Sequence, residues 1–141
     1  SSILGLDEGY SVIFVGAGRL CCSLVENFGF SRRGFKLLAA FDIDRNKVGK
    51  DLCGLSVYHV DDIEKICSKL KPDIGILAVP RANAPMGAEY LKKAKVKAIW
   101  NFTNAELGVP EDKVIVENVH LSDSLMTLCY KLNELEDKLY G

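Results

Sequence analysis

The chain has 141 residues, 48% hydrophobic and 26% charged, with a formal net charge of −1. That is the make-up of one globular domain with a core of its own, and the near-neutral balance excludes a general electrostatic pull toward nucleic acid or an anionic membrane. No apolar run reaches the ~20 residues of a membrane span, and no secretory leader pattern precedes the first strand; the expectation is a cytoplasmic protein with no membrane partner.

In chain order, Ser1–Tyr10 reads as a linker or N-terminal arm, because Gly5 and Gly9 argue against a strong helix. Ser11-Val-Ile-Phe-Val15 is a β-branched and aromatic run suited to a buried strand. It turns through Gly16-Ala17-Gly18 into a helical pattern with apolar positions at Leu20, Leu24, Val25 and Phe28. Gly29–Gly34 is a loop, Phe35–Asp42 a second strand, and Asp44–Lys50 about one or two helical turns. Leu55–Val60 is a third strand. Asp61 or Asp62 is expected to cap a helix through Ile63, Ile66, Cys67 and Leu70 that stops at Lys71-Pro72. Asp73–Val79 forms a fourth strand closed by Pro80, and a helix over about Ala84–Ala94 tolerates Pro85 in its first turn. Lys97–Phe102 and Lys113–Glu117 are the fifth and sixth strands. A final helix starts from a Ser122 cap and runs to about Tyr140.

Strands that alternate with helices and read as continuous apolar runs imply a parallel sheet covered on both faces. The expected fold class is α/β, a Rossmann-type doubly wound, mainly parallel sheet in the order 3-2-1-4-5-6, with a long C-terminal helix. Its winding reverses between strands one and four. That brings Gly16–Leu20, Val79–Asn83 and Asn101–Asn104 toward one crevice, although each is also compatible with ordinary strand-end loops.

The chemistry lies in the first turn. Gly16 allows a sharp bend after the strand, and Gly18 lets an anionic group approach the backbone where the opening helix leaves N–H groups unpaired. The third position of the G-x-G-x-x-G fingerprint is Cys21, a small residue compatible with close helix–sheet packing. Asp42 follows Gly18 by 24 positions, where a carboxylate hydrogen-bonds an adenosine ribose and repels a 2′-phosphate. The pattern favours NAD over NADP. Asp42 also suits a strand-end turn or a helix cap, and Asp44 stands ready to share those roles.

Five cysteines (Cys21, Cys22, Cys53, Cys67 and Cys129) show no C-x-x-C spacing, and only His59 and His120 accompany them. No zinc site is expected; reduced cysteines acting as small core residues are the favoured reading, with a thiol redox role as the alternative. In the last helix Leu121, Leu125, Leu128, Leu132, Leu135 and Leu139 form a narrow apolar stripe on a charged surface. Such a helix covers the sheet or packs on a partner subunit, and a homodimer is the preferred expectation.

Val15-Gly-Ala-Gly-Arg-Leu20 is similar to the VGAGNLG turn of the Rex family of redox-sensing transcriptional repressors. Ala39-Ala-Phe-Asp-Ile-Asp44 with Lys47-Val-Gly49 resembles that family's AAFD-x-D and KVG. Gly54-Leu-Ser-Val-Tyr58 resembles its G-x-x-V-Y, and Val79-Pro80, Asn101-Phe102 and Val109-Pro110 its VP, NF and VP. Val116-Glu-Asn-Val-His-Leu-Ser122 resembles its VENVDLS. The resemblance spans nearly the whole chain. It implies an NAD(H)-binding domain over residues 11–121 and a dimerisation helix over 122–141, in a homodimer that senses the NADH/NAD⁺ ratio and is not an enzyme. The implied cofactor-binding set is Gly16, Ala17, Gly18, Arg19, Leu20, Asp42, Ile43, Val79, Pro80, Asn101, Phe102 and Thr103. No catalytic residue and no metal ligand are implied.

The resemblance further implies that operator DNA is held by an N-terminal winged-helix domain and released when NADH binds. Because only Ser1–Tyr10 precede the first strand, this chain is expected to bind NAD(H) and dimerise without holding an operator unaided. Phe102 and the loop after Pro80 are expected to flank the nicotinamide and prefer its neutral, reduced form. The chain departs from the family pattern at Arg19 (for Asn), Cys21 (for Gly), His120 (for Asp) and Thr103-Asn104 (for Ala-Pro). The family's acid at the His120 position helps couple the cofactor domain to the winged helix, so its replacement either suits a chain that never had a winged helix or implies altered coupling. Two alternatives stand beside this reading. One is a CoA- or other nucleotide-binding Rossmann module, opposed by Asp42 near a 3′-phosphate. The other is a fragment of an NAD-dependent oxidoreductase, opposed by the lack of a substrate domain or a recognisable catalytic histidine motif.

Overall fold

Ser11–Val15 (β1) is the central strand of the computed structural model, which describes residues 9–110 and 112–140. The rest of the sheet is β2 (Lys36–Asp42), β3 (Asp51–Leu52), β4 (Leu55–His59), β5 (Ile74–Leu77), β6 (Ala98–Asn101) and β7 (Ile115–Asn118). The helices are α1 (Arg19–Asn27), α2 (Ile63–Leu70), α3 (Ala84–Ala94) and α4 (Leu121–Tyr140). The sheet order is β3-β4-β2-β1-β5-β6-β7, which is the expected doubly wound order with one added edge strand. All pairings are parallel except β3 with β4. The added strand escaped the sequence reading because two residues are too short for any apolar alternation. Most of the arm expected over Ser1–Tyr10 lies outside the described residues.

Alternation along β1 builds the two halves of the core. Val12 and Phe14 face a cluster holding Cys21, Phe30, Val57 and Ile76; Ile13 and Val15 face Ile63, Cys67, Leu77 and Leu91. Both layers are closed by apolar helix faces, so the central strands β1 and β5 are buried on both sides, as in a covered parallel sheet. Close packing of α3 on β5 depends on two glycines. A Cβ at Gly75 would collide with the Leu91 side chain, and one at Gly87 with Leu77.

Local chemistry departs from expectation at three places. Asp44–Lys50 forms no helix but successive turns, with Lys47 N–H donating to the Asp44 carbonyl and Val48 N–H to that of Arg45. Gly49, at φ +81°, breaks off any continuation. Neither Asp61 nor Asp62 caps α2 through its side chain. The His59 ring instead caps the 3-10 turn over Val60–Asp62 that leads into α2, its Nδ1 accepting from Asp61 N–H at 3.1 Å. The cysteines divide into kinds. Cys21 and Cys67 are buried core residues as expected, but Cys129 is exposed and Cys22 and Cys53 are joined in a disulfide. Their separation of 31 positions hid this pairing, since proximity arises only when α1 packs beside the β3–β4 turn.

α4 begins at Leu121, so Ser122, the expected cap, falls one position inside the helix. From Ser124 to Tyr140 every residue is exposed. Its leucine stripe lies open: Leu125, Leu128, Leu132, Leu135 and Leu139 are 48–62% accessible. Covering the sheet is therefore not the task of this helix. No helix among the described residues is long and apolar enough to cross a membrane.

Candidate functional site

A cleft of about 360 Å³ opens at the carboxyl ends of β1, β2 and β5, where the winding of the sheet reverses. Gly16 forms its floor. It takes φ +105°, its N–H donates to the Phe41 carbonyl at 2.8 Å, and a Cβ there would strike the Ala78 carbonyl. This position accepts only glycine. Gly18 differs: it caps α1 from an extended conformation, and a Cβ built on it meets nothing within 4 Å. The open face of Gly18 borders the cleft at the head of α1, where the first N–H groups of the helix have no intrahelical acceptor. The earliest helical bond comes from Cys22 N–H to the Gly18 carbonyl.

Asp42 ends β2 beside this turn. Its Oδ2 accepts from Ala17 N–H at 2.8 Å and its Oδ1 from Asp44 N–H at 2.8 Å, while Lys47 Nζ stands 3.9 Å from Oδ2. Asp42 therefore joins the glycine bend to the turn after β2, and Asp44 braces that turn by accepting from Asn46 N–H. Under the bend lies Cys21. Burial pushes its thiol up to about 12, with the Asp42 carboxylate adding to the rise and Lys47 opposing it. Burial likewise pushes Cys67 up to about 11. Both thiols stay protonated at neutral pH and behave as small apolar groups.

Of the residues expected at the site, Gly16, Ala17, Gly18, Asp42, Ile43, Val79 and Pro80 line the cleft together. Arg19 and Leu20 do not line it; they head α1, Arg19 exposed and Leu20 half-buried, so only their backbone N–H groups lie toward this end of the helix. Asn101, Phe102 and Thr103 do not line it either. Asn101 Nδ2 donates to the Ala105 carbonyl at 2.7 Å and to Asn118 Oδ1 at 2.8 Å, and Asn101 Oδ1 accepts from the Thr103 N–H and hydroxyl. This side chain ties down the loop after β6 and has no group left for a ligand. Phe102 packs against Trp100, ring centroids 4.7 Å apart, in the aromatic cluster with Phe28.

Asn83, at the end of the stretch Val79–Asn83 expected at the crevice, lines it too, whereas sequence reasoning missed Lys47, Val60, Met86, Gly87 and Tyr90. Lys47 sits in the turn that was read as helix, and Met86, Gly87 and Tyr90 share one face of α3 at helical spacing, the signal that points them the same way. Among the described residues the lining includes no histidine. His59 is committed nearby, with Nδ1 accepting from Asp61 N–H and Nε2 3.1 Å from the Ile43 carbonyl. That hydrogen-bonding pattern puts the ring proton on Nε2 and leaves neither nitrogen for proton transfer.

The sheet order and the glycine bend at its switch point define a Rossmann-type α/β domain. Over residues 7–105 the chain matches the family described as "CoA binding domain". It is 45% identical over 132 residues to the redox-sensing transcriptional repressor Rex of Caldicellulosiruptor saccharolyticus, covering 94% of this chain and 60% of that protein. Two crystal structures of RSP are similar at 45% identity. One is in complex with β-NADH (TM-score 0.85, 97% of this chain, 67% of that one), the other with β-NAD⁺ and operator DNA (TM-score 0.86, 99% and 64%). A first crystal structure describes RSP as a Rex-family repressor. The chain belongs to the CoA binding domain family and to the Rex family of redox-sensing transcriptional repressors. It spans about 60% of the length of the curated relatives it matches.

Proposed function

We propose that this chain is the NAD(H)-binding and dimerisation part of a repressor that responds to the NADH/NAD⁺ ratio. The observation that carries the reading is the pairing, in one cleft, of the open Gly18 face at the head of α1 with the Asp42 carboxylate 2.8 Å from Ala17 N–H. The donor set fits a dinucleotide. Unpaired amides of Gly18, Arg19 and Leu20 suit a pyrophosphate, and an acid at the end of β2 suits the adenosine ribose. Support comes also from RSP, crystallised with β-NADH and with β-NAD⁺ and operator DNA.

In this reading Asp42 turns from Ala17 N–H toward the ribose hydroxyls, and Ile43 flanks the adenine. Val79, Pro80, Met86 and Tyr90 form the apolar wall at the other end, in the role expected of Phe102. When bound, the nicotinamide supplies a unit of positive charge in its oxidised form that its reduced form lacks. An apolar wall without an acid beside it favours the neutral ring. That preference alone can shift a dimer between two arrangements, because only differential affinity moves such an equilibrium. Residues 11–121 act as the cofactor unit and 122–141 as the dimerisation helix, its leucine stripe meeting that of a second copy. Operator binding and a cytoplasmic location belong to the whole repressor in this reading, and the chain performs no catalysis.

A second reading, a CoA-binding module, draws on the description of the matched family and on Lys47, an ammonium in the cleft that suits a 3′-phosphate. Calorimetric titration with NADH, NAD⁺, NADPH and CoA separates the two. NADH is expected to bind more tightly than NAD⁺, with CoA inert. Equal affinities for NADH and NAD⁺ would remove the sensing role, and stabilisation by CoA alone would replace it with the second reading.

A further inference from the structure

Away from the cleft, three side chains converge between α1 and the β3–β4 turn. Cys22 and Cys53 are bonded through their sulfurs, with Cα atoms 6.2 Å apart, inside the span that a disulfide bridges. Glu26, one helical turn beyond Cys22, holds Oε1 2.9 Å from Cys22 Sγ and 3.4 Å from Cys53 Sγ. A carboxylate has nothing to accept from a disulfide, but it accepts an S–H from each of two thiols. The cluster is thus arranged for both oxidation states.

Two further observations set it apart from a structural staple. Cys53 and Glu26 are exposed and Cys22 is only half-buried, so small thiols and disulfides reach the sulfurs. Cys53 also holds φ +54°, followed by Gly54 at +88°, in a two-residue turn between β3 and β4. Asparagine or glycine is the favoured residue at the first of those positions. A cysteine there is held against its backbone preference, and its sulfur is thereby aimed at Cys22.

We propose that Cys22, Cys53 and Glu26 form a dithiol–disulfide exchange site whose co-reactant is a low-molecular-weight disulfide, RS–SR. The more exposed Cys53 thiolate attacks one sulfur of RS–SR, forming Cys53–S–S–R and expelling RS⁻, which takes up the proton that Cys53 released. The Cys22 thiolate then attacks Cys53 Sγ, forming the Cys22–Cys53 bond and expelling the second RS⁻, protonated in turn by the proton from Cys22. Two electrons pass from the pair to RS–SR, which leaves as two RSH. Glu26 is a positioning residue. It orients both thiols while its charge disfavours the adjacent thiolates and slows the first attack. Oxidation ties the start of α1 to the β3–β4 edge and closes a loop that the reduced chain leaves open.

The test equilibrates the intact chain in glutathione buffers of graded ratio, quenches with acid, labels free thiols with a maleimide and maps them by mass. Cys22 and Cys53 should lose reactivity together, in one two-electron transition that dithiothreitol reverses. Cys22→Ser and Cys53→Ser should each abolish that transition, and Cys129→Ser should leave it intact. The oxidised form should melt about 10 °C above the reduced one, the size expected for closing a loop of this length in a domain of this size. Glu26→Gln should speed labelling of the reduced pair severalfold; an unchanged rate would remove Glu26 from the proposal. Three results would overturn the site itself: both thiols still reactive in fully oxidising buffer, stable one-to-one glutathione adducts in place of the internal bond, or protection of the reduced pair by one equivalent of Zn²⁺ with no transition on oxidation. Mapping on the unaltered chain keeps the first two decisive even if a serine variant fails to fold.

Discussion

The cleft end of the sheet and the C-terminal helix are built on opposite principles. At the cleft almost every polar group is answered within the domain: Asp42 by Ala17 and Asp44 N–H, Gly16 N–H by Phe41, Asn101 by its own loop. What it leaves open is narrow, the face of Gly18 and the head of α1. On α4 the reverse holds, with a row of leucines about half accessible and no described residue of the chain laid over them. The first region is closed but for that opening. The second is apolar surface that water disfavours.

The largest expected effect breaks the α4 side of this contrast. Leu128→Asp with Leu132→Asp should raise the dimer dissociation constant by at least about 100-fold, since two buried leucines are worth ~1.5–3 kcal/mol each. Sedimentation equilibrium should find monomer where the parent is dimeric, and cofactor affinity should not move.

The two glycines of the turn test the cleft side. Gly16→Val should cost at least about 3 kcal/mol in urea unfolding, from the left-handed backbone together with the collision at the Ala78 carbonyl. Gly18→Val should leave the urea midpoint within experimental scatter and yet weaken NADH binding more than tenfold, because its side chain enters the space left for phosphate. Equal effects at both positions would contradict the separation of floor from binding face. Asp42→Ala follows, with an expected loss of ~10–100-fold in NADH affinity by calorimetry, the scale of hydrogen bonds to a charged acceptor. Asn101→Ala should instead destabilise the fold by about 2 kcal/mol with cofactor affinity unchanged, since its bonds end on the loop.

The smallest effect is alkaline. Cys21 and Cys67 hold their protons up to about 12 and about 11 in the folded chain but release them near 9 when unfolded. Between those values the native state binds more protons than the unfolded one, so stability is full below pH 9 and declines as pH rises, by up to about 1.4 kcal/mol per unit for each thiol. Urea midpoints at pH 8 and pH 10 should differ less for Cys21→Ala than for the parent. An identical difference would mean that the Cys21 thiol titrates alike in both states.

The strand order was legible because parallel strands are buried on both sides and write themselves as unbroken apolar runs, and the bend because Gly16 sits where only glycine fits and Gly18 leaves the backbone uncovered. Asp42 was legible by its distance from the turn. The loop after β6 was less legible: Asn101, Phe102 and Thr103 lie outside the lining of the cleft, and nothing local reveals that Asn101 turns to Asn118, 17 positions on. Likewise, no spacing rule joins Cys22 to Cys53.

Periodicity and residue type alone thus determined the α/β class, the winding order, the glycine turn after the first strand and the leucine stripe of the last helix, because each depends on backbone preference or on a pattern carried by neighbouring residues. Tertiary structure decided which strand-end side chains reach the cleft, that His59 caps the 3-10 turn before α2, and which cysteines meet. Those outcomes depend on contacts between segments far apart in the chain, and a side chain with several available partners is assigned to one only when packing brings that partner within hydrogen-bonding reach.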